Sequence, residues 1–378
     1  MFHSNTDYYG PVPYSQAGNG EVNVPYDSQR DIYYDFFNLL DEAIPILENA
    51  DQSRQPFGNN DLIFHGNIAK WIKFGNTLRL RLALRISGVE PQKAQQEAER
   101  AVADGVMMGS DDDAMMDVNP TNPHALNLMS AWNYFRMSAT MESYLKGYDD
   151  PRMPEYYNPA PADSEFHGLR NGITAGQIGD SKNDLVALSD VGPRFAPDKA
   201  GENKAFVMYA AEAYFLRAEG ALNGWNMSGT AKELYEQGIR TSMTQWGITD
   251  QALIDDYIES NSQPVALNDF LNSPAVADIG VKFESSEARQ RQQILTQKWI
   301  ALYPDGIEAW AELRRTGYPK IYPVINSDNP DVPPGEMIRR IPFLDYEKEK
   351  NAQAVEEAVQ FLNGADKAST RVWWNAEQ

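Results

Sequence analysis

The sequence predicts an all-α fold, built from helix pairs and interrupted by long irregular loops. Three observations carry this. Apolar residues recur at three- and four-residue spacing over segments of helical length. Two such segments joined by a short Gly/Pro turn form a pair near the start, and the pair returns after residue 205. Between the pairs, residues 109–205 are dense in proline and glycine. With 42% hydrophobic and 11% aromatic residues in 378, there is ample material for a core, which argues against disorder. That length admits two or three domains, or one solenoid whose core grows in one dimension.

Residues 1–28, rich in Gly, Pro, Asn and Tyr, read as an ordered loop. Asp27-Ser28 then caps a helix from about Gln29 to Asn49, with Ile32, Tyr33, Phe36, Leu39, Leu40, Ile44 and Leu47 on its apolar face. After a turn through Gln55–Asn60 comes a helix over 70–86, ending at Ser87-Gly88. Glu90-Pro91 opens the next, with Ala94, Ala98, Ala101 and Val102 on one face. Residues 206–224 are predicted as a second first member. Ser228-Gly229-Thr230 caps its partner, which places Ala231, Tyr235, Gly238 and Ile239 where the earlier helix has its small residues. Pairs of mid-thirties length with small residues at the crossing suggest tetratricopeptide-like units. In 109–205 one helix is expected, at about 125–147; helices return at about 250–258, 285–303, 307–316 and 345–363.

The segment KWIKFGNTLRLRLALRI (70–86) sets five Lys/Arg in a chain of net charge −21. On a helical wheel Trp71, Phe74, Leu78 and Leu82 form a stripe, Ile72, Ala83 and Ile86 widen it, and Leu80 and Leu84 fall opposite. Arg79 and Arg85 project among the apolar side chains. A membrane-surface or nucleic-acid helix segregates its cations; this one mixes them. It reads as a central helix whose arginines are partly buried and held by carboxylates or helix-terminal carbonyls.

Lys plus Arg total 33 against 54 Asp plus Glu, a field that repels phosphate backbones, so no nucleic acid is expected as a partner. With no Cys there is no disulfide, Cys zinc site or thiol nucleophile. His3, His65, His124 and His167 have no metal-ligand spacing and read as ordinary loop or surface histidines. Ser110–Asp113 with Asp117, and NSDNPD at 326–331, lack an EF-hand ligand pattern and read as caps or solvated runs. No phosphate-cradling glycine loop or GxSxG occurs, and no cofactor or metal is expected. No stretch has the length of a membrane helix, and MFHSNTDYYGPVPYS lacks the basic start and apolar run of a signal peptide. Either the protein is cytoplasmic or the chain begins inside a longer precursor.

Among the aromatic residues, Trp71 and Trp299 lie on helical stripes and read as core; Trp225 and Trp246, beside glycines at helix ends, read as packing between repeats. Trp132, Tyr134, Tyr144, Tyr156 and Tyr157 lie in or next to the loop-rich region. Sugar rings stack their C–H faces on aromatic rings while Asn, Asp and Arg bond the hydroxyls, so this region suits carbohydrate or peptide capture. Trp132, Tyr134 and Tyr157 are the candidate ligand-binding residues; no catalytic residue is assigned.

Seven segments, in order from about residue 8 to 375, resemble the SusD/RagB family, and within it the SusD-like outer-membrane nutrient-binding lipoproteins of Bacteroidetes. They are VPYDSQRDIYYDFFNLLDEA, IAKWIKFGNTLRLRLALRIS, DPR at 150–152, EAYFLRAEGALNGWNMSGTAKELYEQGI, QKWIALYPDGIEAWAELRRTGYP, IRRIPFLDYEKEKNA and RVWWN. The resemblance implies a single domain over 1–378. Its tetratricopeptide-like helix pairs would form a right-handed superhelix, with long ligand-binding loops on one face and 109–205 as a loop-rich insertion. It implies a surface-exposed outer-membrane protein without catalytic activity, seated as a lid on a SusC-like TonB-dependent transporter and delivering oligosaccharides, or peptides in some branches. Family members begin with a lipoprotein signal, a lipidated Cys and a first helical portion. Here the match starts partway in, which implies a chain lacking its N-terminal portion and the lipid anchor that is its only expected link to the membrane. The family has no fixed ligand motif, so the three candidates rest on chemistry alone. The alternatives are a peptide-binding relative, an all-α glycoside hydrolase with two essential carboxylates near the loops, and a tetratricopeptide adaptor for protein partners.

Overall fold

The structure, a computed structural model, describes residues 2–21 and 23–375. Helix α1 (Phe2–Tyr9) stands where the sequence suggested a loop. Helix α2 (Gln29–Glu48) starts at Ser28, whose hydroxyl oxygen accepts from the Asp31 N–H at 3.1 Å. Helices α3 (Ile68–Ile86) and α4 (Pro91–Asp104) follow, then β1 (Ala114–Met116), α5 (Ala125–Trp132), α6 (Ala139–Gly147) and two single-turn helices, α7 (Met153–Tyr156) and α8 (Ala175–Ile178). Strand β2 (Ala205–Met208) pairs antiparallel with β1. Next come α9 (Ala210–Leu222), α10 (Ala231–Gln245), α11 (Gln251–Ile258), α12 (Glu287–Ala301), α13 (Gly306–Thr316), α14 (Asp345–Lys350) and α15 (Ala352–Val359).

Helices α3 and α4 pack as one pair and α9 and α10 as another; α3 also meets α2 and α9, while α12 lies on α9. The small residues sit at the crossings as expected. Ala94, Ala98 and Ala101 are fully buried, and a Cβ on Gly238 would stand 2.9 Å from the Phe215 ring. Thr230 closes a capping box with Glu233 at the start of α10, so two otherwise orphaned backbone N–H groups are satisfied.

Three predicted boundaries are corrected. Residues 206–208, read as the start of a helix, belong to β2, because pairing with β1 satisfies their backbone groups across a long loop. The single helix over 125–147 is two, broken at Asn133, whose left-handed backbone (φ 54°) Asn tolerates better than most residues. The helix over 345–363 is likewise two, α14 and α15.

The arginines of α3 are buried and matched. Arg79 meets Asp41 (2.7 Å) and Glu97. Arg81 makes a two-pronged contact with Glu212, its Nε donating to Oε1 at 2.8 Å. Arg85 faces Asp7 (3.2 Å), Glu308 and Glu312 (3.5 Å). Lys298 and Arg315 close the network on Glu312, and Arg315 also grips Glu219. Short α1 is held by the same network: Asp7 accepts from Tyr33 (2.6 Å) and Trp374 (2.7 Å) as well as Arg85. Against the desolvation that would raise it, Arg85 and Arg81 hold the Glu308 carboxyl below its usual range.

Candidate functional site

The C-terminal end of α12 and the start of α13 form one wall of an open cleft of ≈ 370 Å³, lined by Trp299, Tyr303, Asp305, Trp310 and Leu313. Ser138, Thr140 and Met141 at the start of α6, together with Tyr157, Asn171 and Ile321, complete the lining. The rings are locked from behind. Tyr303 stacks on Tyr156 at 4.4 Å and donates its hydroxyl to the Tyr156 carbonyl (3.1 Å). Tyr157 lies 5.4 Å from Tyr303. The Trp310 indole N–H donates to the Ile338 carbonyl (3.2 Å), and the Arg314 guanidinium sits 3.6 Å from its ring centre. The loops are pinned by close backbone approach: a Cβ on Gly192 would fall 2.5 Å from the Glu155 carbonyl, and one on Gly168 2.4 Å from that of Ser138.

The polar atoms of the cleft divide in two. Ser138 caps α6 and the Thr140 hydroxyl accepts from the Tyr322 N–H (3.2 Å), so both are engaged. The Tyr157 hydroxyl, the Trp299 indole N–H and the Asn171 side chain have no hydrogen-bond partner among the described residues. Asp305 caps α13, accepting from the Glu308 N–H at 3.1 Å. Burial pushes its carboxyl up to about 6, with Arg81 opposing the rise and Glu308 adding to it. The wall thus presents apolar ring faces with unpartnered polar tips, and Asp305 is its one carboxylate.

Of the three candidates read from the sequence, Tyr157 lies in the cleft wall. Trp132 and Tyr134 do not. Trp132 ends α5 and Tyr134 stands on the turn after it, 60% and 77% exposed, with the Trp132 ring 6.3 Å from Phe135. Arg136 ties this turn down by donating to the Leu185, Asn133 and Phe135 carbonyls. Trp299, expected in the core, is half-buried at the cleft, whereas Tyr144 and Tyr156 are core residues. The sequence reading missed Tyr303, Asp305 and Trp310; the available signal was the Trp-x₃-Tyr-Pro-Asp-Gly-x₃-Trp run, aromatic residues bracketing a turn.

His3, in α1, and His124, in the loop before α5, are buried rather than on the surface, and the His124 ring caps α5 by accepting from the Leu126 N–H. The acidic run is engaged within the fold: Asp112 meets Lys73 (2.9 Å), Asp113 accepts from the Ala210 N–H (2.7 Å), and Asp117 meets Lys204 (2.8 Å). Among the described residues no group of three His, Asp or Glu side chains could hold a metal ion, and no helix is long and apolar enough to cross a membrane.

Residues 1–375 match the model of the SusD-like family, described as SusD and RagB outer membrane lipoproteins. A chitin-binding SusD homologue from Flavobacterium johnsoniae is 38% identical, with a TM-score of 0.91 over 100% of this chain and 79% of its own. SusD homologues from Bacteroides thetaiotaomicron (32% identity, TM-score 0.90, 100% and 79% covered) and Bacteroides uniformis (35%, 0.89, 99% and 78%) share the fold. No curated protein matches the sequence. With the family model spanning the chain and these structures superposing along its full length, the protein belongs to the SusD-like family and has its all-α, tetratricopeptide-like fold.

Proposed function

We propose that this protein captures oligosaccharides at the outer surface of a Bacteroidetes cell for import through a SusC-like TonB-dependent transporter. The observation that carries the reading is the aromatic cleft. Trp299, Tyr303 and Trp310, each half-buried, offer ring surface for sugar C–H groups, and the hydroxyl of the buried Tyr157, the Trp299 N–H and the Asn171 amide are left to bond hydroxyls. The chitin-binding relative from Flavobacterium johnsoniae and the family's description as outer membrane lipoproteins support the ligand class and location. Glycoside hydrolysis uses two carboxylates across the scissile bond, and this cleft wall carries one. A binding role therefore fits it better than catalysis. Trp132 and Tyr134, exposed on their tied-down turn, are proposed as an outer platform for the same ligand.

Tryptophan fluorescence and calorimetry with a panel of neutral oligosaccharides, chito-oligosaccharides included, test this. A hit should weaken about five- to tenfold in Trp299→Ala, the scale of one lost ring contact of about 1–1.5 kcal/mol, and less in Trp132→Ala. A folded protein that binds no glycan, or binds short peptides only, would overturn the reading.

A further inference from the structure

Trp310 and Leu313, three residues apart on α13, and Ile321 form a saddle. Each lines the aromatic cleft and also a second cavity of ≈ 460 Å³. Its floor is apolar, made by Pro319, Pro323, Val324, Val332, Met337 and Ile338. Each cavity is large enough for a small-molecule ligand, at the lower end of the roughly 300–1,000 Å³ usual for such sites. Because they share these three residues the two cavities adjoin, close enough for one chain-like ligand to span both.

The charges around this second cavity differ from the rest of the molecule. Its lining carries Lys320 and Arg339 against a single acid, Glu336, in a chain of net charge −21. The Arg339 backbone is fixed, with its N–H donating to the Ala368 carbonyl (2.8 Å) and its own carbonyl accepting from Arg314 (2.8 Å). Its half-buried guanidinium, however, has no hydrogen-bond or ion-pair partner among the described residues. The neighbouring Arg340 shows the contrast, bonded to Asp366 and to the Tyr9 carbonyl. Burial, and then the like charge of Arg371, lower the Arg339 pKa, with Glu336 opposing. Lys320 is exposed, its ammonium 4.6 Å from the Tyr318 ring centre. A half-buried, unpaired guanidinium and a second cation lining one apolar cavity suit a carboxylate, which the planar fork of Arg matches.

We propose that the cavity beyond Trp310 is a second subsite that takes a carboxylate-bearing sugar unit, so that the ligand is an oligosaccharide with an acidic unit next to the one held in the aromatic cleft. This rests on the glycan reading of that cleft. The test is calorimetry of the full chain with a panel of paired tetrasaccharides, neutral N-acetylglucosamine polymers and uronate-containing counterparts, at low and high salt. At least one acidic member should bind about tenfold tighter than the neutral ones, the scale of one charge-assisted hydrogen bond. Added salt should shrink that advantage and leave neutral binding unchanged. Arg339→Gln and Lys320→Gln should each remove part of the advantage while the neutral affinity and the melting temperature stay put. Neutral binding with no acidic preference, or a preference that survives both substitutions, overturns the second subsite and leaves the glycan cleft standing. Binding of neither class by the folded protein overturns both.

Discussion

The two faces of α13 follow opposite rules. On the inward face, Glu308 and Glu312 meet Arg81, Arg85, Lys298 and Arg315 within a buried network that joins α1, α3, α9, α12 and α13. On the outward face, Trp310 and Leu313 line cavities in which some polar groups, the Tyr157 hydroxyl and the Arg339 guanidinium among them, have no hydrogen-bond partner among the described residues. Charges taken out of water need partners or they destabilise the fold. Polar tips left open at a solvent-accessible surface cost little, and they leave bonds for a ligand to make. One helix thereby separates the part of the molecule that holds shape from the part proposed to meet ligand.

The largest effect should come from breaking the inward face. Arg85→Met leaves Asp7, Glu308 and Glu312 with one cation fewer in a buried setting, and should cost about 3–5 kcal/mol in urea unfolding. The network also sets an acid limit. The Glu308 and Glu312 carboxyls are held low in the fold, so their contribution is present above the unfolded carboxylate range and is lost as pH falls below about 4.5. Unfolding curves taken at falling pH should show this loss in the wild type and less of it in Glu308→Gln. An acid limb unchanged by that substitution would remove the network from the account.

The inward face was the more legible in the sequence. Cations mixed through an apolar helix have few places to go except into a core with acids, and Arg79 and Arg85 could be placed there from the wheel alone. Helix starts were equally readable where a side chain caps locally, as at Ser28 and Thr230. Helix α1 was not, because FHSNTDYY has no apolar period and is held by long-range bonds to Asp7. The cleft was half legible. Tyr157, singled out for its chemistry and its loop setting, lines the cleft. Trp299 was assigned to the core because a helical stripe does not say whether the last ring on it meets another helix or an opening. That is decided when residues as distant as Thr140 and Ile321 are folded onto one rim.

Asp305 lies at the junction of the two faces and tests where the boundary runs. It lines the outward cleft and also the cavity beside Arg81 and Glu308. Its folded pKa, about 6, lies above the unfolded value, so between those two values the native state holds a proton that the unfolded chain has released. This group therefore adds stability as pH falls from neutrality towards about 4, and is a deficit at pH 8. Asp305→Asn keeps the acceptor for the Glu308 N–H and removes the buried charge. It should raise stability at pH 8 by about 1–3 kcal/mol, with the gain fading in mild acid. Asp113, pushed up to about 7 by burial, has the same sign, so the double replacement should flatten the neutral limb further. A gain that is constant with pH would mean that Asp305 belongs electrostatically to neither face.

The smallest expected change in stability is the sharpest test of the comparison. The Tyr157 hydroxyl has no partner to lose among the described residues, and its ring keeps its contact with Tyr303 when the oxygen is removed. Tyr157→Phe should therefore melt within about 0.5 kcal/mol of the wild type, as for any substitution that breaks no native bond. Oligosaccharide binding should nevertheless fall about five- to tenfold, because a ligand hydroxyl desolvated against the ring loses its hydrogen bond. The opposite pattern, a destabilised protein with unchanged binding, would place the hydroxyl in the scaffold and move the ligand away from this wall. A loss of binding at constant stability separates the two faces as the geometry does, since the same oxygen would then matter to the ligand and not to the fold.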